Sequence, residues 1–307
     1  MRRAPAKGIG ALVLLTVSFA MTTVLARFLN NGFTILQQVY LRAAVAFCFA
    51  VLAFGRRIRW RVILRAPPGE WYVIVARTVL LYVIGTTLFS KAATLAPVGD
   101  VSFIAALPFV SVLGLALRRV PVTRRRAVCV LGCTIGAGAL SGFGTGAQSG
   151  AASLNRGDLL AAVSMLAIAA SYLGRAWHHS DLNNSEITVL TIAVGAVIIA
   201  MASFALGQGL PAVHDTSQSL GHSPSVLWSA VLLAGVLNVL NVFLINYGFE
   251  HVDAVRAGNL LTLECVWGLA LGLLFFDQRP TPAELVGGLL IVLSAVGLNS
   301  TSAEVRS

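Results

Sequence analysis

Long apolar stretches separated by short polar connections dominate the pattern of hydrophobic and polar positions along this chain of 307 residues. A hydrocarbon core about 30 Å thick is crossed by about 20 helical residues, each rising about 1.5 Å. Ten stretches are close to that length, and we predict a transmembrane helix in each. They are Ile9 to Ala26, Phe33 to Phe54, Trp71 to Ser90, Val98 to Leu117, Ala127 to Phe143, Leu159 to Trp177, Ile187 to Leu206, Val226 to Phe249, Ala254 to Phe276 and Leu285 to Leu298. The predicted fold class is therefore an all-α membrane protein with ten transmembrane helices.

The basic residues alternate from one connection to the next, which predicts how the chain lies in the membrane. If the amino terminus is cytoplasmic, sixteen of the 22 Lys and Arg residues lie inside and four lie outside. The other two, Arg42 and Arg77, fall within spans. By the positive-inside rule, both termini are expected to be cytoplasmic, in the plasma or inner membrane. The net charge of +10 is thus a topology signal, and we expect no nucleic-acid partner.

The cysteines and histidines indicate neither a disulfide framework nor a metal site. All four cysteines lie inside apolar spans, and Cys129 and Cys133 share a helix face with no His or carboxylate beside them. His178 and His179 are adjacent, so they point to different sides and are interpreted as interfacial residues. With no ATP-binding motif in the sequence, we expect no cofactor and no metal.

A small, polar stretch divides the ten spans into two groups of five. We predict a first repeat at residues 1–143, a linker at 144–156 and a second repeat at 157–307, and we take the first span as a retained helix because the repeat requires it. A shift of 156 positions superposes Leu81 to Leu117 on Leu237 to Leu273, and both halves end in a turn and a helix rich in small residues. An odd number of spans per repeat inverts one half relative to the other, as in many secondary transporters.

Two charged residues are predicted deep within spans. Glu264 lies about ten residues, or roughly 15 Å, into the ninth span, and Arg42 lies at a similar depth in the second. A charge at mid-membrane costs roughly 2.5 to 3.5 kcal/mol on insertion scales, so it faces the bundle interior. Glu264 could carry a coupling proton or neutralise an arginine. Arg42 could pair with Glu264 or capture an anionic substrate, whereas Arg77 is near enough to the cytoplasmic end to snorkel.

Further polar residues recur at matching positions of the two halves. The eighth span carries Asn238 and Asn241 one helical turn apart, and the third carries Tyr82, which the 156-residue shift aligns with Asn238. Pro108 breaks the hydrogen bonding of the fourth span, and its counterpart is Glu264. Lining of a cavity and hydrogen bonding between packed helices are the two alternatives for each of these side chains.

The stretch from Lys91 to Pro108 and the stretch from Leu263 to Asp277, followed by a Thr-Pro turn and a Gly-Gly helix, resemble the drug/metabolite transporter superfamily, EamA type. The ten-span, five-plus-five layout matches along nearly the whole chain. The resemblance implies a central cavity between the halves and alternating access. The candidate cavity residues are Arg42, Tyr82, Pro108, Asn238, Asn241, Glu264 and Trp267.

These features predict a secondary membrane transporter of small organic metabolites, such as amino-acid-like, drug-like or other amphipathic solutes. We expect an exporter that works by alternating access, with proton coupling through Glu264 as one option. The expected partners are a small-molecule substrate and membrane lipid, and a homodimer is a further option. The alternatives are an intramembrane lipid-modifying enzyme and a receptor or scaffold that does not transport. We do not expect an enzyme, because no clustered His, Asp or Ser constellation is visible near one membrane face.

Overall fold

The structure is a computed structural model that describes residues 5–29, 32–95, 104–105, 107–117, 123–140, 156–178, 182–207, 224–276 and 280–299. Every regular element in these ranges is helical, so the predicted all-α class is confirmed. The linker predicted at 144–156 lies outside the described residues except for Arg156. The α-helices in chain order are α1 Pro5–Leu29, α2 Ile35–Phe54, α3 Trp60–Leu64, α4 Pro68–Thr78, α5 Thr87–Leu95, α6 Phe109–Ala116, α7 Arg124–Leu140, α8 Arg156–Leu173, α9 Asn184–Ala205, α10 Pro224–His251, α11 Ala254–Leu261, α12 Leu263–Phe276 and α13 Pro282–Asn299.

Seven helical segments of the described part are long and apolar enough to cross a membrane. They are α1, α2, α4 with its continuation, α8, α9, α10 and α13, and each coincides with a predicted span. The other three predicted spans are shorter or interrupted where the structure describes them: α6 has 8 residues, α7 has 17, and the ninth span is divided between α11 and α12. The protein is therefore a multi-pass membrane protein, and the count of ten stays a prediction.

The ninth span, predicted as one helix from Ala254 to Phe276, has the predicted ends but is not continuous. The helix is interrupted at Thr262, although no proline or glycine occupies that position. The Thr262 hydroxyl donates to the carbonyl of Asn259 at 2.7 Å, and the backbone amide of Cys265 donates to the Thr262 carbonyl at 3.2 Å. A hydroxyl that bonds back to the preceding turn competes with the helical ladder and bends the helix. The break leaves Glu264 in the first turn of α12.

Two further helices depart from regular geometry inside the bundle. Pro108 caps the start of α6, as expected of a residue that lacks a backbone N–H. Between α4 and α5 the chain forms a π-helix at Val79–Thr86. The Thr86 hydroxyl donates at 3.0 Å to the carbonyl of Leu81, five residues earlier. π-Helical turns are rare and frequently occur at functional sites.

The helices pack in a repeated set of pairs. α7 packs against α13, α2 against α9, and α6 against α11. In addition, α1 packs against α10, and α8 against α5 and the π-helix. Small residues allow the closest approaches: a Cβ added to Gly136 of α7 would lie 2.7 Å from the carbonyl oxygen of Gly287 in α13. Close approach through small residues is the usual basis of helix association in lipid.

At the end of the bundle where α2 finishes, Glu186 joins two elements. Asn183 and Glu186 form a reciprocal capping box at the start of α9, with the Asn183 side chain accepting from the Glu186 amide at 2.9 Å. The Glu186 carboxylate also accepts from Arg59 through the backbone amide and two guanidinium nitrogens, at 2.8 to 3.0 Å. Since a capping box satisfies two otherwise unpaired backbone donors, this contact fixes the start of α9 against the loop after α2.

The close packing of α7 on α13 makes a stability prediction. Gly136→Ala is expected to destabilise the protein by about 1 to 3 kcal/mol, because the added methyl group meets backbone that cannot rotate away. Gly10→Ala is the matched control: a Cβ there meets nothing within 4 Å, and alanine is the better helix former. Thermal denaturation in detergent measures both variants. Equal stability of the two would contradict this view of the α7–α13 contact.

Candidate functional site

The candidate site is centred on a hydrogen bond between the two halves of the chain. The Tyr82 hydroxyl, from the π-helix, donates to the side-chain oxygen of Asn238 in α10 at 3.3 Å. These two residues are 156 positions apart, which is the shift that aligns the halves in the sequence. Tyr82 is 5% exposed, and its ring lies against Gly195 of α9, where an added Cβ would be 2.8 Å from the ring. The glycine therefore makes room for the aromatic ring.

Arg42 lies beside this bond, on α2. It is close enough to Tyr82 to interact with it electrostatically. Its Nε is buried, and among the described residues Arg42 makes no hydrogen bond and no ion pair. The side chain as a whole keeps part of its surface exposed. The site thus contains a guanidinium group for which the described part of the chain supplies no counter-ion.

Glu264 does not neutralise Arg42 in this structure. No ion pair of Glu264 is present among the described residues, and its electrostatic neighbours are Tyr172 of α8 and Cys265. Tyr172 belongs to a core cluster of α1, α8 and α10, where its ring stacks near Phe19. The carboxyl group therefore lies toward α8, in the first turn of α12, where the helix dipole favours negative charge.

The remaining predicted site residues are distributed differently. The Asn241 side-chain nitrogen donates to the Thr22 hydroxyl of α1 at 3.1 Å, so this residue links α10 to α1. Pro108 is buried at the start of α6. Trp267 of α12 is 38% exposed. The structure thus brings Arg42, Tyr82 and Asn238 together. Tyr172 is an electrostatic neighbour of both Tyr82 and Glu264, so Glu264 lies one residue further from this group.

An apolar groove between α2 and α10 has a volume of about 250 Å³. Its lining consists of Phe49, Ala53, Phe54, Val236, Val239, Leu240 and Phe243. None of the predicted site residues lines it. A groove without a polar group cannot orient a polar solute, so we assign no substrate to it.

A buried polar network, which the sequence interpretation missed, is built around Arg77. Snorkelling to the interface was predicted for Arg77, but the residue is 3% exposed. Its guanidinium donates to the Ser171 carbonyl at 2.9 Å and to the Asn246 side-chain oxygen at 2.8 Å, and its third contact is His178 Nε2 at 2.8 Å. His178 Nδ1 in turn contacts the carboxylate of Glu70. The prediction failed because acceptors from α8 and α10 satisfy the group in place.

The network fixes the proton positions on His178. Arg77 can only donate, so Nε2 accepts from it and the ring proton resides on Nδ1, facing Glu70. Burial and the adjacent Arg77 charge lower the pKa of His178 from 6.5 to about 4, against the opposing effect of Glu70. The imidazole is thus neutral at neutral pH. Asn246 extends the network by donating to the Thr188 hydroxyl at 3.3 Å, so α4, α8, α9 and α10 are joined.

One signal in the sequence could have indicated this network. Glu70 and Arg77 are seven residues apart, so they lie on one face of the same helix, and Asn246 is an amide inside a predicted span. The position of His178 could not be foreseen, since it depends on the 3₁₀ turn Gly174–Trp177 at the end of α8. Each partner in these contacts satisfies another buried group, so we interpret the network as structural.

These observations define a class: a multi-pass helical membrane protein with interrupted helices and a polar contact between its halves. Residues 155–300 match the sequence model of the EamA-like transporter family. The resemblance to the EamA type of the drug/metabolite transporter superfamily is thereby confirmed for this part of the chain, and it indicates a membrane transporter. No curated protein matches the chain.

The fold is also found among solved structures. In one crystal structure the alignment covers 98% of this chain and 98% of the other, with a TM-score of 0.75 and 18% sequence identity. At such an identity the likeness concerns the fold alone.

The His178 pKa generates a pH prediction. An unfolded chain binds a proton at His178 below about pH 6.5, whereas the folded protein binds it only near pH 4. Between these values the unfolded state holds more protons, so stability is lost as the pH falls. We expect the unfolding temperature of the wild type to decrease from pH 6.5 to 4, with a contribution on the order of a few kcal/mol from this group.

The control for this prediction separates His178 from the other acid-sensitive groups. In His178→Gln the part of the pH dependence that belongs to the imidazole should be absent, although the variant is less stable at pH 7. His251→Gln removes a histidine whose ring contacts the carbonyl of Tyr247, outside the network, and should keep the wild-type slope. Parallel slopes for the wild type and both variants would contradict the role assigned to His178.

Proposed function

We propose that the protein is a secondary transporter of small organic metabolites that works by alternating access between two inverted halves. The pattern of helix packing supports the inversion. The equivalent helices of the two halves are α1 and α8, α2 and α9, α4 with α5 and α10, and α7 and α13. If each helix is exchanged for its equivalent, the main packing pairs are retained. The second helix of each half also begins with a capping box, at Thr34 and at Asn183.

The observation that carries this proposal is the Tyr82–Asn238 hydrogen bond. Residues at equivalent positions of two repeats contact each other only where they lie near the axis that relates the repeats. The bond therefore supports an axis that passes between the π-helix and α10. Inverted-repeat transporters bind their substrate at such an interface, near the middle of the membrane.

The packing of α6 on α11 supports closure at one end of the bundle. The Ser111 hydroxyl donates to the Val255 carbonyl at 3.0 Å, and a Cβ added to Gly258 would lie 2.5 Å from the backbone nitrogen of Ser111. Under the 156-residue shift Ser111 corresponds to Trp267. Ser111 is fully buried, whereas Trp267 is 38% exposed. This difference supports tighter packing at the end of the bundle where α6 meets α11.

The closed end is the cytoplasmic one if both termini are cytoplasmic, as the distribution of basic residues indicates. We propose this orientation in the plasma membrane, with the structure in an outward-facing state. Export is proposed on the ground of the family resemblance. Glu264, at the start of the half-helix α12, is the group that we propose for proton coupling, because no basic partner holds it ionised within the described residues.

The central bond makes a prediction about transport. Tyr82→Phe and Asn238→Leu should reduce counterflow of a solute in proteoliposomes by roughly tenfold, with little loss of folded protein, because both side chains serve the cavity. Asn241→Leu is the matched control on the same helix: it removes a link to α1 worth roughly 0.6 kcal/mol and should leave transport nearly intact. Equal loss of yield and transport in all three variants would favour a packing role for the bond.

The proposed proton coupling makes a second prediction. Glu264→Gln should fold and bind its solute but lose the pH dependence of transport, because an amide imitates the protonated acid and cannot release a proton. Glu250→Gln, which removes a partly exposed carboxylate paired with Arg175, should keep the wild-type pH profile. Transport by Glu264→Gln with an unchanged pH profile would exclude the coupling role.

A further inference from the structure

We infer that Arg42 is the binding site for an anionic group of the transported solute, so that the substrates are small organic anions such as carboxylates. The inference rests on the proposed carrier function and adds the class of substrate to it.

The first step concerns the charge of Arg42. A guanidinium remains protonated even when it is buried, so a charge at this depth requires compensation. The seven described carboxylates do not supply it. Five of them have partners elsewhere: Glu70 contacts His178, Glu186 contacts Arg59, Glu250 contacts Arg175, Asp253 contacts Arg126 and Arg256, and Glu284 accepts from the Thr281 amide. The other two, Glu264 and Asp158, form no ion pair with Arg42.

The comparison with Arg77 shows that this bundle can satisfy an arginine when the arginine is structural. The guanidinium of Arg77 contacts three residues, Ser171, His178 and Asn246, and the Ser171 hydroxyl also donates to the backbone carbonyl of Arg77. Arg42 is also within a span and makes no such contact among the described residues. A guanidinium donates up to five hydrogen bonds in a planar fork that fits a carboxylate with two parallel bonds. The donors of Arg42 that meet no acceptor among the described residues therefore suit an anionic group.

A second donor lies next to this site. Tyr82 donates to the side-chain oxygen of Asn238, which orients the amide so that its nitrogen is directed away from the bond. That nitrogen makes no hydrogen bond to a described residue, and Asn238 is partly exposed. Arg42, Tyr82 and Asn238 thus combine a fixed positive charge with an oriented amide donor on three different helical segments. Neutral or cationic solutes would leave the charge uncompensated.

The test uses pairs of probes that differ only in charge. Phenylacetate and phenylacetamide, and hexanoate and hexanamide, are added to the purified full-length protein, and the shift in unfolding temperature is measured. A compound that binds only the folded state raises this temperature. We expect stabilisation by a carboxylate and none by its amide. Stabilisation by the amides to the same extent, or no stabilisation by either carboxylate, would overturn the inference.

Variants assign the effect to Arg42. Arg42→Gln should weaken binding of the carboxylate by roughly 10- to 100-fold, since hydrogen bonds to a charged group are among the stronger ones. Arg42→Lys keeps the positive charge but not the planar set of guanidinium donors, so it should lose less affinity for the carboxylate than Arg42→Gln. Arg156→Gln makes the same chemical change at an exposed residue at the start of α8 and should bind as the wild type does. Unchanged affinity in Arg42→Gln would overturn the inference.

Two outcomes separate this inference from the carrier function and from a pair with Glu264. Counterflow of neutral or cationic solutes alone would retain the carrier and exclude the anion site. Arg42→Gln could also fold poorly, and the added change Glu264→Gln could restore folding in the absence of any probe. In that case Glu264 is the counter-ion in another conformation, and the anion site is likewise excluded. Counterflow that requires a carboxylate and is lost in Arg42→Gln would support both proposals.

Discussion

Hydrocarbon offers no hydrogen-bond partner, so each unsatisfied peptide group within the membrane costs several kcal/mol. Most of the described chain meets this constraint by remaining helical. The exceptions are the π-helix before α5, the start of α6 at Pro108 and the break at Thr262, and hydroxyl groups of Thr86 and Thr262 bond to nearby carbonyls at two of them. Irregular backbone is tolerated in a membrane only where protein or a water-filled cavity surrounds it. These departures therefore mark the interior of the bundle.

The same constraint distinguishes the two arginines within the spans. Arg77 is surrounded by acceptors, and Glu70 lies one residue further along the same chain of contacts, beyond His178. Breaking a buried pair or network strands its partners, so this cluster is tied to stability. Arg42 has no comparable surroundings among the described residues. The contrast agrees with a scaffold role for the first arginine and with the ligand role that we propose for the second.

Much of the fold could be predicted from the sequence because apolar length is a one-dimensional property. Seven predicted spans coincide with helices long enough to cross the membrane. The shift of 156 positions also pairs Tyr82 with Asn238, and the structure joins these two residues by a hydrogen bond. The break at Thr262 escaped prediction because threonine is common in regular membrane helices and bends them only when its hydroxyl bonds backwards. The Arg77 network was not predicted because its acceptors come from helices distant in sequence, whereas a hydropathy pattern describes each helix separately.

In the carrier that we propose, the central bond also bears on how the two inverted halves would move. A contact near the axis between them changes little when one half rocks against the other, whereas contacts at either end must form and break in turn. The Tyr82–Asn238 bond belongs to the first kind, and the packing of Ser111 against Val255 in α11 belongs to the second. In the Tyr82–Asn238 pair the tyrosine hydroxyl donates and the amide oxygen accepts, so the Asn238 nitrogen makes no hydrogen bond to a described residue and is a donor that a solute near the axis could use.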